Sequence, residues 1–173
     1  GVGNMGVAAA KAARKLGLHV LGIRRSGKSH RSVHEMTTPD RLHDMMRRAD
    51  FVVVTAPLTL ETERLVDAAA LDCLKPTAGL VNMGRARIVD YEALQVRLSD
   101  GRLRGAVLDV FDPEPLPADS PLWTAPNVII TPHVSSDDED NYGLLTIELV
   151  FENLARWYAG KPLRNVVDAG LRY

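Results

Sequence analysis

The chain has 173 residues, enough for one domain with a sizeable core or one lobe of a larger protein. Hydrophobic residues at 46% and charged residues at 25% exclude wholesale disorder, and 21 basic against 22 acidic residues argue against a general nucleic-acid binder. The single cysteine, Cys73, excludes a disulfide framework or a cysteine-rich zinc module, and no apolar run approaches the ~18 residues of a membrane span. The expectation is a cytoplasmic protein with neither a nucleic-acid nor a membrane partner.

Residue 1 is already the first glycine of Gly1-Val2-Gly3-Asn4-Met5-Gly6. Such a glycine loop leaves the end of a first, central strand, so the sequence reads as an excerpt whose first strand is missing. Residues 7–16 carry a helical pattern closed by Gly17 at the C′ position. Residues 19–24 read as a buried strand. Thr38-Pro39-Asp40 opens a helix reaching about Arg48, and residues 51–55 form a β-branched strand ended by Pro57. Helical patterns follow at 61–66 and 68–74, the second closed by Lys75-Pro76. The short apolar runs 79–82, 105–110 and 128–131 read as strands, with a helix over 90–98 between the first two. Residues 112–127 hold Pro113, Pro115, Pro117, Pro121 and Pro126, and read as a structured loop.

The acidic run Asp137-Asp138-Glu139-Asp140 suits a helix N-terminus, where carboxylates complement the macrodipole. The helix expected over 141–159 places Leu144, Ile147, Phe151, Leu154 and Tyr158 on one stripe, widened by Val150 and Trp157. It needs more than one neighbour, and Gly160 and Pro162 end it. Strands alternating with helices predict an α/β fold, a doubly wound parallel sheet of the dinucleotide-binding type. Residues 1–140 form that domain, and 141–173 form a long helix and a C-terminal segment.

A lone GxGxxG is a weak signal, but this one opens a helix that a strand follows, which is the required context. Gly1 permits the tight turn, Gly3 lets a pyrophosphate approach the backbone, and Gly6 allows close packing. The free N–H groups of the helix start then face the anion. At the end of the next strand an acid would bind a ribose 2′-hydroxyl. This chain has Arg24, followed by Arg25 and Ser26. Guanidinium groups bind a 2′-phosphate with charge-assisted hydrogen bonds, which favours NADP and leaves NAD possible. A solvated basic turn is the alternative.

Three ionisable residues follow successive apolar runs: Arg85 after Asn82, Glu114 after Asp109-Val110-Phe111, and His133 after Ile130-Thr131-Pro132. C-terminal strand ends converge on one crevice in an open parallel sheet. Singly, each is as well read as a solvated charge or a packed ring; together they suit hydride transfer to a carbonyl. His133 would supply the proton, Glu114 would orient the imidazole, and the fork of Arg85 would pair with a substrate carboxylate. No HExxH, paired cysteine or histidine cluster points to a metal.

At these motifs the chain resembles the D-isomer-specific 2-hydroxyacid dehydrogenases, from residue 1 to its end. The resemblance rests on the glycine loop; Ala56-Pro57-Leu58-Thr59 with Glu61-Thr62; Asn82-Met83-Gly84-Arg85 with Val89-Asp90; and Leu108-Asp109-Val110-Phe111, Pro113-Glu114-Pro115 and Thr131-Pro132-His133. It implies that Arg85, Glu114 and His133 are catalytic and that Asp109 meets the nicotinamide carboxamide. It also implies cofactor contacts at Gly1, Gly3, Asn4, Met5, Ala56, Pro57, Thr62 and Met83, with Arg24, Arg25 and Ser26 as in NADP-using glyoxylate/hydroxypyruvate reductases. Ala86 stands where a glycine is usual and Asp112 where Glu or Pro is frequent, but neither removes a reacting group. The implied activity is reduction of a small 2-oxo acid to a D-2-hydroxy acid by a homodimer whose N-terminal substrate lobe is absent from the excerpt. A dinucleotide-sensing interaction protein of corepressor type, and a formate or phosphite dehydrogenase, are the alternatives.

Overall fold

The computed structural model describes residues 1–138, 140–168 and 170. The chain divides into two units, Gly1–His133 and Val134–Tyr173.

In the first unit, α1 (Asn4–Lys15) begins directly after Gly3, whose extended backbone forms the N-cap. It starts earlier than the alanine-rich pattern predicts, because the glycine loop itself supplies the first turn. Gly17, in the left-handed region at φ 79°, ends it as expected. β1 (Leu21–Ile23) pairs in parallel with β2 (Glu35–Thr37). Sequence reasoning missed β2: a Glu-Met-Thr triplet has neither an apolar run nor enough length to show alternation.

A 3₁₀ turn at Pro39–Arg41 leads into α2 (Leu42–Arg48), then β3 (Phe51–Val54). α3 (Ala68–Asp72) is capped by Asp67, which accepts the Ala70 N–H at 2.8 Å. β4 (Gly79–Asn82) follows, then α4 (Tyr91–Ser99), capped by Asp90 through the Ala93 N–H at 3.0 Å. β5 (Gly105–Leu108) and β6 (Val128–Ile130) complete a parallel sheet of order β3-β4-β5-β6. The helix expected at 61–66 is instead a series of turns. There the Thr62 hydroxyl accepts the Thr59 N–H at 2.8 Å and donates to the Pro57 carbonyl at 2.7 Å. Arg64 turns left-handed (φ 52°), and the Arg64 and Val66 N–H groups bond the distant carbonyls of Arg87 and Ile88 at 2.8 and 2.9 Å instead of continuing a helix.

The opening residues run between the two sheets. The Thr55 hydroxyl donates to the Gly1 carbonyl at 2.6 Å, while Val2 packs within reach of Gly22 in β1. One face of the four-stranded sheet buries Val54, Leu80, Ala106 and Leu108 in a cluster with Met46, Leu71, Leu94 and Leu98 from the helices. Alternate residues Phe51, Val53 and Ile129 are exposed. The buried Arg97 ties α4 to α3, donating to Asp72 at 2.9 Å and to the carbonyls of Ala93 and Ala68 at 2.8 Å each.

In the second unit, α5 (Tyr142–Tyr158) has no acidic residue in its first turn. The acidic run precedes the helix, as expected, and Asp138 makes the turn that leads into it, accepting the Asn141 N–H at 3.2 Å. Glu139 lies outside the described residues, as do 169 and 171–173 of the expected C-terminal segment. The predicted stripe is present, and its Leu144, Ile147, Phe151, Leu154 and Tyr158 are all exposed. After Gly160 (φ 64°) the chain folds back, and Asn153 exchanges two hydrogen bonds with the Arg164 backbone, at 2.8 and 3.1 Å. No helix of the described residues is long and apolar enough to cross a membrane.

Candidate active site

The N-terminus of α1 opens onto a cleft of about 420 Å³ lined by Gly3, Asn4, Val7, Lys11, Arg24 and His30 among others. Each loop glycine has a distinct steric reason. A Cβ on Gly1 would strike the Ala56 backbone, and one on Gly6 would strike the Gly1 carbonyl. One on Gly3 meets nothing within 4 Å, so the approach to the helix start is open. Gly3 offers no capping side chain and the first turn holds no acid, which leaves the first N–H groups, at Asn4 and Met5, for an anion. These residues fit a dinucleotide pyrophosphate.

Arg24 follows β1 and is half-buried at the cleft, with its N–H bonded to the Thr37 carbonyl at 3.0 Å. Arg25 and Ser26 are exposed beyond it, and the Ser26 hydroxyl accepts the Lys28 N–H at 3.3 Å. Lys11 and His30 escaped sequence reasoning. Lys11 lies seven residues after Asn4, about two helical turns on the same face, so its spacing was a usable signal. His30 sits in a loop, where no periodicity announces a neighbour.

The ends of β3 and β4 meet the glycine loop at Ala56. This buried residue is approached by Gly1, and also by Gly84, where a Cβ would lie 2.7 Å from the Ala56 carbonyl oxygen. Pro57 and Thr62 are joined by the hydroxyl bond already described. Met83, half-buried, donates its N–H to the Val54 carbonyl at 3.0 Å.

Beside this junction stands a set of buried polar bonds. Asn82 is fully buried; its Oδ1 accepts the Gly84 N–H at 3.1 Å, and its Nδ2 donates to the Arg85 carbonyl at 3.2 Å and to the Tyr91 hydroxyl at 3.0 Å. The Tyr91 hydroxyl donates in turn to the Val110 carbonyl at 2.8 Å. Burial pushes that hydroxyl far above its ordinary titration range, so it stays a donor. Tyr91 thereby links the Arg85 turn to the segment after β5, a role that no motif revealed. Asp109, 1% exposed, accepts from the Thr131 hydroxyl at 2.6 Å and so joins the ends of β5 and β6.

Glu114 and His133 meet as expected, with His133 Nδ1 2.8 Å from Glu114 Oε2. The other oxygen, Oε1, accepts the Phe111 N–H at 2.7 Å. That backbone bond, then the His133 bond, hold the Glu114 carboxyl below its usual range, and the nearby Arg85 charge adds to the effect. An ionised carboxylate only accepts. Nδ1 of His133 therefore carries a hydrogen, and Nε2 is the nitrogen that can hold or release a proton at the site. His133 has a left-handed backbone (φ 58°), a conformation that non-glycine residues adopt mainly where the surroundings impose it. Arg85 is exposed and donates from Nη1 to the Gly84 carbonyl at 2.7 Å. Among the described residues no group of His, Cys, Asp and Glu could hold a metal ion.

The D-isomer specific 2-hydroxyacid dehydrogenase, NAD binding domain profile matches residues 1–135. A glyoxylate/hydroxypyruvate reductase B from Enterobacter agglomerans is 40% identical over 128 residues, covering 73% of this chain and 39% of its own. Among solved structures, a D-isomer specific 2-hydroxyacid dehydrogenase from Xanthobacter autotrophicus Py2, in complex with NADPH and MES, superimposes with a TM-score of 0.90 at 37% identity. It covers 97% of this chain and 68% of its own. An NADPH-dependent glyoxylate/hydroxypyruvate reductase from Sinorhizobium meliloti, in complex with NADP and sulfate, gives 0.89 at 34% identity, over 100% of this chain and 55% of its own. The chain spans about half the length of the curated relatives it matches. A glycine loop on a helix start, parallel strands and this family match agree: the chain belongs to the D-isomer-specific 2-hydroxyacid dehydrogenases, and its parallel-stranded Rossmann-type unit is their NAD-binding domain.

Proposed function

We propose that the protein reduces a small 2-oxo acid, of the glyoxylate or hydroxypyruvate kind, to its D-2-hydroxy acid with NADPH. The observation that carries this reading is the His133–Glu114 pair at the end of β6, with the Arg85 charge beside it and the glycine-loop cleft in the same unit. When bound, the reduced nicotinamide supplies a hydride to the carbonyl carbon. Arg85 binds the substrate carboxylate and polarises the carbonyl oxygen with its planar fork. His133 delivers a proton from Nε2 to that oxygen, while Glu114 fixes the ring by accepting from Nδ1. Asp109, at the same strand ends, would meet the carboxamide of the cofactor. The start of α1 at Asn4 and Met5, with Gly1 and Gly3, holds the pyrophosphate. Ala56, Pro57, Thr62 and Met83 form the wall beside it.

Arg24, Arg25 and Ser26 hold the 2′-phosphate, a reading supported by the NADPH and NADP named with two of the similar solved structures. Dinucleotide binding lies within residues 1–140, and 141–173 serve packing in the whole protein. The exposed apolar stripe of α5 supports a homodimer, to be checked by light scattering, and the single cysteine supports a cytoplasmic setting.

Steady-state assays on glyoxylate, hydroxypyruvate, pyruvate and phenylpyruvate test the activity. NADPH oxidation with one of the first two is expected. A stoichiometric protein partner released by NADPH, with turnover of none of the four, would replace the enzyme reading with a sensor. For the cofactor, NADPH should be preferred and Arg24→Asp should reverse the preference, at a cost of about 1.5–3 kcal/mol for the lost charge-assisted bonds. Equal kcat/KM for NADH and NADPH in the unmutated protein would overturn the NADP assignment.

A further inference from the structure

Ion pairs occupy many of the cations of the described residues, but neither Lys11 nor Arg24 has a carboxylate partner among them. Both line the glycine-loop cleft, and His30 lines it with them; no acidic residue does. Lys11 lies about 10 Å along α1 from Asn4, at a rise of 1.5 Å per residue. Lys11 is thus two helical turns from the helix start, where a pyrophosphate would sit, while Arg24 stands just past the end of β1. His30 is half-buried, and its Nδ1 accepts the Ser32 N–H at 3.2 Å. With Nδ1 an acceptor, the hydrogen of the neutral ring is on Nε2, which is then a donor whatever the charge of the ring.

We propose that Lys11 and His30 are specificity-determining residues of this cleft, forming with Arg24 a three-sided site for the adenosine 2′-phosphate. This rests on the NADP reading above and extends it to two residues outside the Arg24-Arg25-Ser26 turn. A lysine supplies a point charge, the arginine a planar fork and the imidazole a directed N–H, so a tetrahedral phosphate would be held from the helix, the strand end and the following loop at once. A ribose 2′-hydroxyl gives Lys11 nothing to neutralise, so the two residues discriminate between cofactors and do not merely add affinity.

The test measures binding of adenosine 2′,5′-bisphosphate and of 5′-AMP to the full-length protein by calorimetry, for the unmutated protein, Lys11→Gln, His30→Ala and Arg24→Ala. Lys11→Gln and His30→Ala should each weaken the bisphosphate about 10- to 100-fold, the loss expected of one charge-assisted bond. Binding of 5′-AMP should be unchanged, which also shows that the variants are folded. If Arg24→Ala alone loses the bisphosphate while the other two match the unmutated protein, this proposal is wrong and the NADP reading stands. Equal weakening of both nucleotides by Lys11→Gln and His30→Ala would make them scaffold residues and also overturn it. If the unmutated protein does not distinguish the two nucleotides, the NADP reading itself fails.

Discussion

At the scale of single residues, the proposed reaction separates the groups that would react from the groups that hold them. The Nδ1 bond to Glu114 sets the His133 tautomer, and the Phe111 N–H anchors Glu114 in turn. His133→Ala should therefore lower kcat by about 10²–10⁴-fold. Binding of NADPH, measured by fluorescence titration, should change little. A near-normal kcat would mean that another acid delivers the proton. Arg85→Lys should raise KM and lower kcat together, because a point charge cannot reproduce a two-pronged contact with a carboxylate and carbonyl. A change in KM alone would reduce Arg85 to a binding residue. The sequence singled out Arg85, Glu114 and His133 because each lies within a few residues of an apolar run, and the structure brings Glu114 and His133 together. It hid Asn82 and Tyr91 as structural partners, because a hydrogen bond across nine residues leaves no periodic trace.

At the scale of elements, the junction of β3, β4 and the glycine loop tolerates no added volume. Gly84→Ala would press a methyl on the Ala56 carbonyl oxygen and should cost about 1–3 kcal/mol, as overpacking does elsewhere. Urea unfolding would measure it, and an unchanged midpoint would show that the junction relaxes freely. Tyr91→Phe keeps the ring edge-on to Phe111 but removes the hydroxyl between Asn82 and Val110. The loss should be near 1 kcal/mol in the same measurement. Because Asn82 also holds the Arg85 carbonyl, kcat should fall in this variant while binding of NADPH is retained. Unaltered kcat and stability together would show that the link carries no strain from one strand end to the next.

At the scale of the whole molecule, the net charge of −1 conceals many local pairs. Asp72 is held below its ordinary 3.8, first by its hydrogen bond to Arg97 and then by the charges of Arg97 and Arg102; Asp100 is held down by Arg102. Glu35, through Arg48, and Glu114 are held below 4.5. A carboxylate with a depressed folded value stabilises the fold fully above its unfolded value, and that contribution is lost as pH falls through the lower, folded one. Thermal midpoints should therefore fall below about pH 4.5 as these groups protonate. Asp72→Asn should lower the midpoint at pH 7 and flatten its fall between pH 4 and 3, since one titrating contribution has gone. Parallel curves for the two proteins would show that the Arg97 pair does not couple to folding.

The amino-acid sequence by itself determined the strand-and-helix alternation, the anion-binding helix start and the three ionisable strand ends. Local pattern suffices there: a glycine loop, β-branched runs and the residue just past each run are read from neighbours along the chain. Tertiary structure decided β2 and the turns at 61–66, where pairing with a distant segment overrides short-range propensity. It also brought Lys11 and His30 to the cleft of Arg24, and hung Arg85 and the Glu114 segment on the buried Asn82–Tyr91 bonds. Those contacts form only when elements far apart in sequence are packed, and apart from the helical spacing of Lys11 from Asn4 no periodicity encodes them.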